Sequence, residues 1–254
     1  AGSRIGIAVD ETGSAFVTGA TDSTSPAQGY NFPSTPGAFD TSIGGAFVVK
    51  LNPAGSGLVY GTFLGENYEY VTGNGIVVDE TGGAYVTGQT GGFFPATPGA
   101  FDTTGDGRGD AFLAKLSPSG SDLLYGTLLG GDEGDHYYDE GVGIALDRDG
   151  AVYIAGTTYS SDFPTTPGAF DVTHNGNSDD FVVKMEIEDY TYRDSAPPLT
   201  TPVTATIPDP ITFGFYRIDV PQPGSTIAVT LTNLQQNYDL LLFAPELNEE
   251  TGNL

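Results

Sequence analysis

The chain has 254 residues, and 8 Lys+Arg against 33 Asp+Glu leave a formal net charge of −25, with no Cys. Such a charge repels nucleic acid and anionic membrane surfaces. No apolar run approaches the roughly 18–20 residues of a membrane-crossing helix, and disulfides, thiolate metal sites and thiol chemistry are excluded. The 15 Phe and 14 Tyr supply a core that a disordered acidic tail lacks. Ala1 opens the chain without a basic, apolar leader, and the single methionine is Met185. The expectation is a processed product, or a piece of a polypeptide that extends at both ends.

Read from the N-terminus, four blocks recur. Gly6-Ile7-Ala8-Val9-Asp10 returns as Gly75-Ile76-Val77-Val78-Asp79 and Gly143-Ile144-Ala145-Leu146-Asp147. Pro36-Gly37-Ala38-Phe39-Asp40 returns unchanged at Pro98 to Asp102 and at Pro167 to Asp171. Phe47-Val48-Val49-Lys50 returns as Phe112-Leu113-Ala114-Lys115 and Phe181-Val182-Val183-Lys184. Leu58-Val59-Tyr60-Gly61-Thr62-Phe63-Leu64-Gly65 returns once, as Leu123 to Gly130, and has no copy after Lys184. Fixed blocks with joins of unequal length read as one supersecondary unit used three times, with insertions in its loops.

The apolar runs are short, β-branched or aromatic, and bounded by Gly, Pro, Asp and Thr. Asp10-Glu11-Thr12-Gly13, Asp79-Glu80-Thr81-Gly82 and Asp147-Arg148-Asp149-Gly150 read as tight hairpin turns. No 3.6-residue period lasts beyond a turn or two. Each repeat is therefore expected to hold four strands: A at Gly-Ile-x-x-Asp, B after the turn, C at Phe-x-x-Lys and D at Leu-x-Tyr-Gly-Thr. Four short antiparallel strands per repeat is the pattern of a propeller blade.

These blocks, together with Phe-Pro-x-Thr-Pro-Gly-Ala-Phe-Asp and Asp110-Ala-Phe-Leu-Ala-Lys-Leu116, resemble the bacterial seven-bladed β-propeller repeat (SBBP) family over about residues 3–190. The resemblance implies an extracellular or cell-surface protein. It implies no single activity and carries over no catalytic residues. The expected fold class is all-β. Blades are placed at 3–65, 72–130 and 140–193, the last lacking its fourth strand, and a partial β-sandwich follows. Three blades do not close a ring, since propellers use roughly 4–8. Two explanations are open. Further blades belong to the same polypeptide, which is the favoured one, or neighbouring chains complete the sheets by self-association and strand donation.

Residues 194–204 form a Pro/Thr-rich linker. Beyond it, strands are expected at about 212–220, 225–234 and 238–243. The runs Phe215 to Pro221, Ile227 to Asn233 and Tyr238 to Phe243 resemble the bacterial pre-peptidase C-terminal domain, a small β-sandwich appended to secreted proteins. The further strands of that family's pattern are absent, so the sandwich over 205–254 is expected to be incomplete.

Candidate chemistry is sparse. Lys50, Lys115 and Lys184 are the only lysines and share one repeat position. Three equivalent lysines read as structural, with stems on the blade and ammonium groups beside local carboxylates. The loop before strand C offers oxygen donors: Asp106 and Asp110 in the second repeat, and Asn175, Asn177 and Asp179 in the third. The i, i+2, i+4 spacing of the last three is like the first half of a calcium loop, so Ca²⁺ is the one cofactor expectation, weighed against Asx turns in solvated loops. Asp132-Glu133-Gly134-Asp135-His136-Tyr137-Tyr138-Asp139-Glu140 is the densest acidic segment. Carboxylates paired across a cleft serve glycoside hydrolysis, but Glu66, Glu69 and their aromatic neighbours repeat the mixture in the first join. That favours a blade-joining role. Arg108-Gly109-Asp110 spells an adhesion tripeptide, a weak signal that the repeat position of Asp110 explains better.

No Ser-His-Asp arrangement or phosphate-binding glycine loop is legible. The expectation is a non-catalytic secreted or cell-surface structural protein, with self-association or further blades as its partners and a filament or matrix as its setting. The alternative is a glycan- or protein-binding propeller module of a larger secreted enzyme. A third reading makes Asp132 to Glu140 a hydrolase or lyase centre.

Overall fold

The computed structural model describes residues 4–21, 32–42, 44–65, 71–91, 94–105, 109–131 and 139–187. All belong to the first of two compact units, Ala1–Tyr190 and Thr191–Leu254. The linker expected at 194–204 and the sandwich expected over 205–254 lie outside the described residues.

The described residues form eleven strands and no helix. The first sheet runs β1 (Gly6–Val9), β2 (Ala15–Thr21), β3 (Gly45–Leu51) and β4 (Leu58–Leu64), paired in that order. The second repeats it with β5 (Val71–Val78), β6 (Ala84–Thr90), β7 (Asp110–Leu116) and β8 (Leu123–Leu129). The third holds β9 (Glu140–Leu146), β10 (Val152–Thr158) and β11 (Asp179–Met185). Every pairing is antiparallel. These are the blades of an all-β propeller fold, two with four strands and one with three described.

The meander follows from local chemistry. Asp10 Oδ1 accepts the Thr12 hydroxyl at 2.6 Å and the amides of Thr12 and Ser14 at 3.0 and 2.9 Å. Asp79 makes the same three bonds to Thr81 and Gly83. One carboxylate thus closes each A–B hairpin, and the turn glycines Gly13, Gly82 and Gly150 take φ of 87–88°.

Blades stack face to face. β5 lies against β1, β2 and β3, and β9 lies against β5, β6 and β7. Alternation along each strand sends even and odd residues to different neighbours. In β7, Phe112, Ala114 and Leu116 pack in the core shared with Phe16, Val48 and Tyr60 of the first blade. Ala111 and Leu113 pack with Val152, Ile154 and Phe181 of the third. Covered on both sides, β7 is buried along its whole length, as a strand inside a stack must be.

Spacing near the inner strands is set by contact without a Cβ. A Cβ on Gly73 would lie 2.0 Å from Thr18 Oγ1, and one on Gly141 would lie 2.0 Å from Thr87 Oγ1. Those hydroxyls are fixed, because each donates to a carbonyl of the next strand: Phe47 at 2.9 Å and Phe112 at 2.7 Å. Gly141→Ala is therefore expected to lower stability by about 1–3 kcal/mol, the usual range for overpacking a tight contact. Gly143→Ala, two residues along β9 with open space around it, serves as the control. Urea denaturation of the two variants should separate them clearly.

Candidate assembly interface

The three lysines sit in one geometry and three degrees of cover. Lys50 Nζ lies 4.7 Å from the centre of the Phe16 ring, Lys115 Nζ 4.9 Å from that of Tyr85, and Lys184 Nζ 5.7 Å from that of Tyr153. Each ring comes from strand B, beside the lysine on strand C. Lys50 pairs with hairpin residue Asp10 at 3.5 Å and Lys115 with Asp79 at 3.6 Å. In the third blade Lys184 pairs instead with Glu186 at 3.5 Å, while Tyr153 donates its hydroxyl to Asp147 Oδ2 at 3.1 Å. The lysine side chains are 15, 4 and 49% exposed in chain order. The first two are covered by the following blade. An ideal Cβ on Gly82, in the hairpin turn of the second blade, lies 3.8 Å from Lys50 Nζ. Around Lys184 the corresponding place is a cavity of about 250 Å³, lined by residues that include Asp147, Gly150 and Glu186.

The two end faces show the same contrast in their apolar residues. Ile7 is 67% exposed, whereas its repeat equivalent Ile76 is 7% exposed in the joint between the first two blades. Val182 is 77% exposed, whereas its equivalent Leu113 is fully buried in the joint between the second and third. Val9 is likewise exposed, whereas its equivalent Val78 packs against the core of the first joint. Residue types that the joints bury are thus repeated on both terminal faces.

The joints themselves differ in chemistry. At the first, Val71 is a buried apolar plug, within 3.4 Å of an ideal Cβ on Gly45 and 2.6 Å of one on Gly65. At the second, Asp139 takes the same repeat position and is fully buried. Its carboxylate accepts from the amides of Tyr159 at 2.8 Å and Gly131 at 3.3 Å, and from the Ser160 hydroxyl at 2.9 Å. Buried charge is tolerated where its lone pairs are met by donors. Glu140 beside it accepts from Arg4 at 2.8 Å and Asn74 at 3.0 Å. Arg4, Asn74 and Glu140 belong to three different blades, so one carboxylate ties the stack together.

A further device covers the outer strands. The segment 32–40 runs beside β4, with the Thr35 amide donating to Gly61 O at 3.0 Å and the Phe63 amide to Asp40 O at 3.1 Å. Thr62 Oγ1 both receives the Asp40 amide at 2.9 Å and donates to the Asp40 carbonyl at 3.0 Å. Segment 94–102 repeats every one of these bonds on β8 through Thr97, Gly126, Thr127, Asp102 and Leu128. Glycine is required in strand D because a Cβ on Gly61 or Gly126 would meet the carbonyl oxygen of Pro33 or Pro95 at 2.3 Å.

Of the residues expected to bind calcium, Asp106 lies outside the described residues. Asp110 opens β7 and is buried, its Oδ1 2.0 Å from an ideal Cβ on Gly130. It belongs to the joint near Asp139, far along the chain from Asn175, Asn177 and Asp179. In the third repeat, Asp179 Oδ2 accepts the Asn175 amide at 2.6 Å, and Asn175 Nδ2 donates to Thr173 O at 2.8 Å. No group of three or more His, Asp or Glu gathers as a metal site among the described residues. In the acidic segment, residues 132–138, His136 included, lie outside the described residues. Asp139 and Glu140 are engaged in the joint as above.

The Arg4–Glu140–Asn74 tie was not legible in the sequence, because none of the three recurs in the repeats. The outer latch left a signal: Tyr-Gly-Thr in both D blocks, always with a Phe-Pro-x-Thr-Pro segment preceding strand C.

Residues 59–95 and 124–164 match the family model described as Beta-propeller repeat (SBBP). Each match runs from strand D of one blade through strands A and B of the next and ends at the Phe-Pro of the latch, so it spans a joint. No curated protein matches the chain.

Two predictions follow the geometry of the lysines and their hairpin carboxylates. Lys115→Met should destabilise by about 2 kcal/mol, since it leaves Asp79 without its buried partner, whereas Lys184→Met should leave the melting temperature unchanged. The Thr12 hydroxyl, opposed by partial desolvation and helped by the Ser14 and Thr12 amides and Lys50, holds Asp10 below the ordinary aspartate range. Asp147 is also held low, its desolvation outweighed by the Ala151 amide and the Tyr153 hydroxyl. A carboxylate depressed in the folded state stabilises fully above its unfolded pKa of about 3.9 and loses that contribution as pH falls through the lower folded value. Melting temperature should therefore be flat from pH 7 to about 5 and drop below about 4. Asp10→Asn should start lower and show a shallower acid loss.

Proposed function

We propose that this chain is a non-catalytic, secreted or cell-surface propeller module whose work is assembly. The observation that carries the reading is the pair of uncovered end faces, which repeat the residues that the internal joints bury. An exposed apolar face of this kind marks an interaction surface. The natural occupant of the Ile7 and Val9 face is the lysine-bearing face of another blade of the same type. Supplied by a second copy, that contact is heterologous and head to tail, and it closes into a ring or continues as a filament according to its rotation. Two copies offer six blades, inside the range of closed propellers.

Secretion or surface display rests on the family resemblance of the repeats. The C-terminal segment 205–254 is read as a pre-peptidase C-terminal-like sandwich that accompanies such export. Calcium remains part of the proposal for the loop holding Asn175, Asn177 and Asp179. There it takes a carboxylate oxygen now bonded to the Asn175 amide, and calorimetric titration with and without Asp179→Ala tests it.

Sedimentation velocity of the full chain over a wide concentration range is the deciding measurement. Reversible association is expected, and Ile7→Asp with Val9→Asp should shift its midpoint at least tenfold, by about 1.4 kcal/mol or more. A monomer at every concentration overturns the assembly reading.

A further inference from the structure

The dipeptide Asn-Gly is found twice in the chain, at Asn74-Gly75 and at Asn175-Gly176. Asparagine is among the thermally labile residues. A following glycine leaves its own backbone nitrogen unshielded by a Cβ and lets the chain bend toward the preceding side chain. The two copies stand in opposite surroundings.

Asn74 is the extra residue of β5, where the register with β6 slips between Gly73 and Gly75. It is 8% exposed. Its Nδ2 donates to Glu140 Oε1 at 3.0 Å and to Gly141 O at 2.9 Å. Gly75 lies in the strand opposite Thr87, and an ideal Cβ on it would meet Ile144 Cγ2 at 3.1 Å and Val142 O at 3.2 Å. The side chain is thus held by two acceptors, and the backbone after it is packed by the third blade.

Asn175 lies in the exposed loop between the latch and β11. Gly176 takes φ of 155°, and nothing lies within 4 Å of an ideal Cβ on it. Among the described residues its amide has no acceptor. The side chain of Asn175 is tied only to Thr173, to the carbonyl at 2.8 Å and the hydroxyl at 3.3 Å. Bonds so exposed exchange with water and hold the side chain weakly.

We propose that Asn175 is a self-modification site, where succinimide-forming deamidation proceeds in the folded protein while Asn74 is protected. The Gly176 nitrogen attacks Asn175 Cγ. An N–Cγ bond forms, the Cγ–Nδ2 bond breaks, and the side-chain amine leaves as ammonia, taking up the proton of the Gly176 amide. Water then adds to either carbonyl of the ring. Opening at Cγ gives aspartate, and opening at the backbone carbonyl gives isoaspartate. No oxidant, reductant or enzyme takes part, and the reaction needs neither assembly nor calcium.

Either product exchanges the Nδ2 donor for a carboxylate. The Thr173 carbonyl loses that partner, and the new charge stands beside a hydroxyl that already donates to Asp171 Oδ1 at 2.6 Å. Asp179 Oδ2, bonded to the Asn175 backbone amide at 2.6 Å, is a second carboxylate at hand. Like charges gathered in this way repel, so the turn ahead of β11 loosens on conversion. Isoaspartate also lengthens the backbone there by one carbon.

The test follows the full chain during incubation in mildly alkaline buffer, by peptide mapping with mass spectrometry that separates aspartate from isoaspartate. A parallel sample unfolded in guanidinium chloride gives each asparagine its unrestrained rate. In the folded chain Asn175 should convert close to that rate, and Asn74 at least tenfold more slowly than Asn175, because its reaction waits for the joint to open. Gly176→Ala should slow the loss at Asn175 at least tenfold and leave Asn74 unchanged. Equal rates at the two asparagines in the folded chain, or a loss at Asn175 that ignores Gly176→Ala, overturn the proposal. Where the Gly176→Ala chain fails to fold, the comparison of the two asparagines in the unaltered protein decides alone.

Discussion

The fold depends on how closely one sheet can approach the next. An inner strand without a Cβ at Gly73 or Gly141 rests on a threonine hydroxyl that is itself held by a carbonyl. Dispersion attraction and water exclusion then act over the whole pair of faces, because a gap of even half an ångström forfeits much of each contact. Larger side chains, among them Phe16, Tyr60, Phe112 and Leu128, fill the space away from the inner strands. The same argument explains why the stack is a chain of similar joints rather than one central core.

Charge is managed within that frame. A buried ammonium is costly unless it is paired. Lys50 and Lys115 meet this by lying over an aromatic face and beside a hairpin carboxylate that is already anchored by its own turn. Lys184 has the ring but lies in the open, and its carboxylate partner shifts from the hairpin to Glu186. Against 33 acids and only 8 basic side chains, Lys50, Lys115 and Arg4 serve the joints, whereas Lys184 is half exposed and Arg148 lies exposed in its hairpin turn. The replacement of Val71 by Asp139 at the equivalent joint shows that the position tolerates either an apolar plug or a fully hydrogen-bonded carboxylate. What it excludes is an unmet polar group.

The outer edge obeys a separate rule. A terminal strand of a sheet exposes unpaired amides and carbonyls, and in two blades the Pro-Gly-Ala-Phe-Asp segment covers them. The price of that close cover is a glycine in the middle of the strand. The third blade keeps the latch phenylalanine, with Phe163 stacked on Phe181 at 4.5 Å. A joint built after it would differ in one respect, because Ala155 stands where Thr18 and Thr87 support the neighbouring glycine.

The sequence alone determined the all-β class, the strand order A to D, the hairpin turns and the threefold repeat, because each rests on local chemistry that recurs: turn residues, alternation and β-branched runs. It also marked the lysines as structural by their shared position. Only the tertiary structure decided which residues are covered. Lys115 and Lys184, or Leu113 and Val182, are near-identical in sequence context yet opposite in exposure, since burial depends on whether a neighbouring blade lies above them. Nor did residue spacing separate Asp110, drawn into a joint beside Gly130, from Asp179, which closes a solvated turn. Arg4 and Glu140 meet across 136 positions, a distance along the chain over which no local pattern carries information.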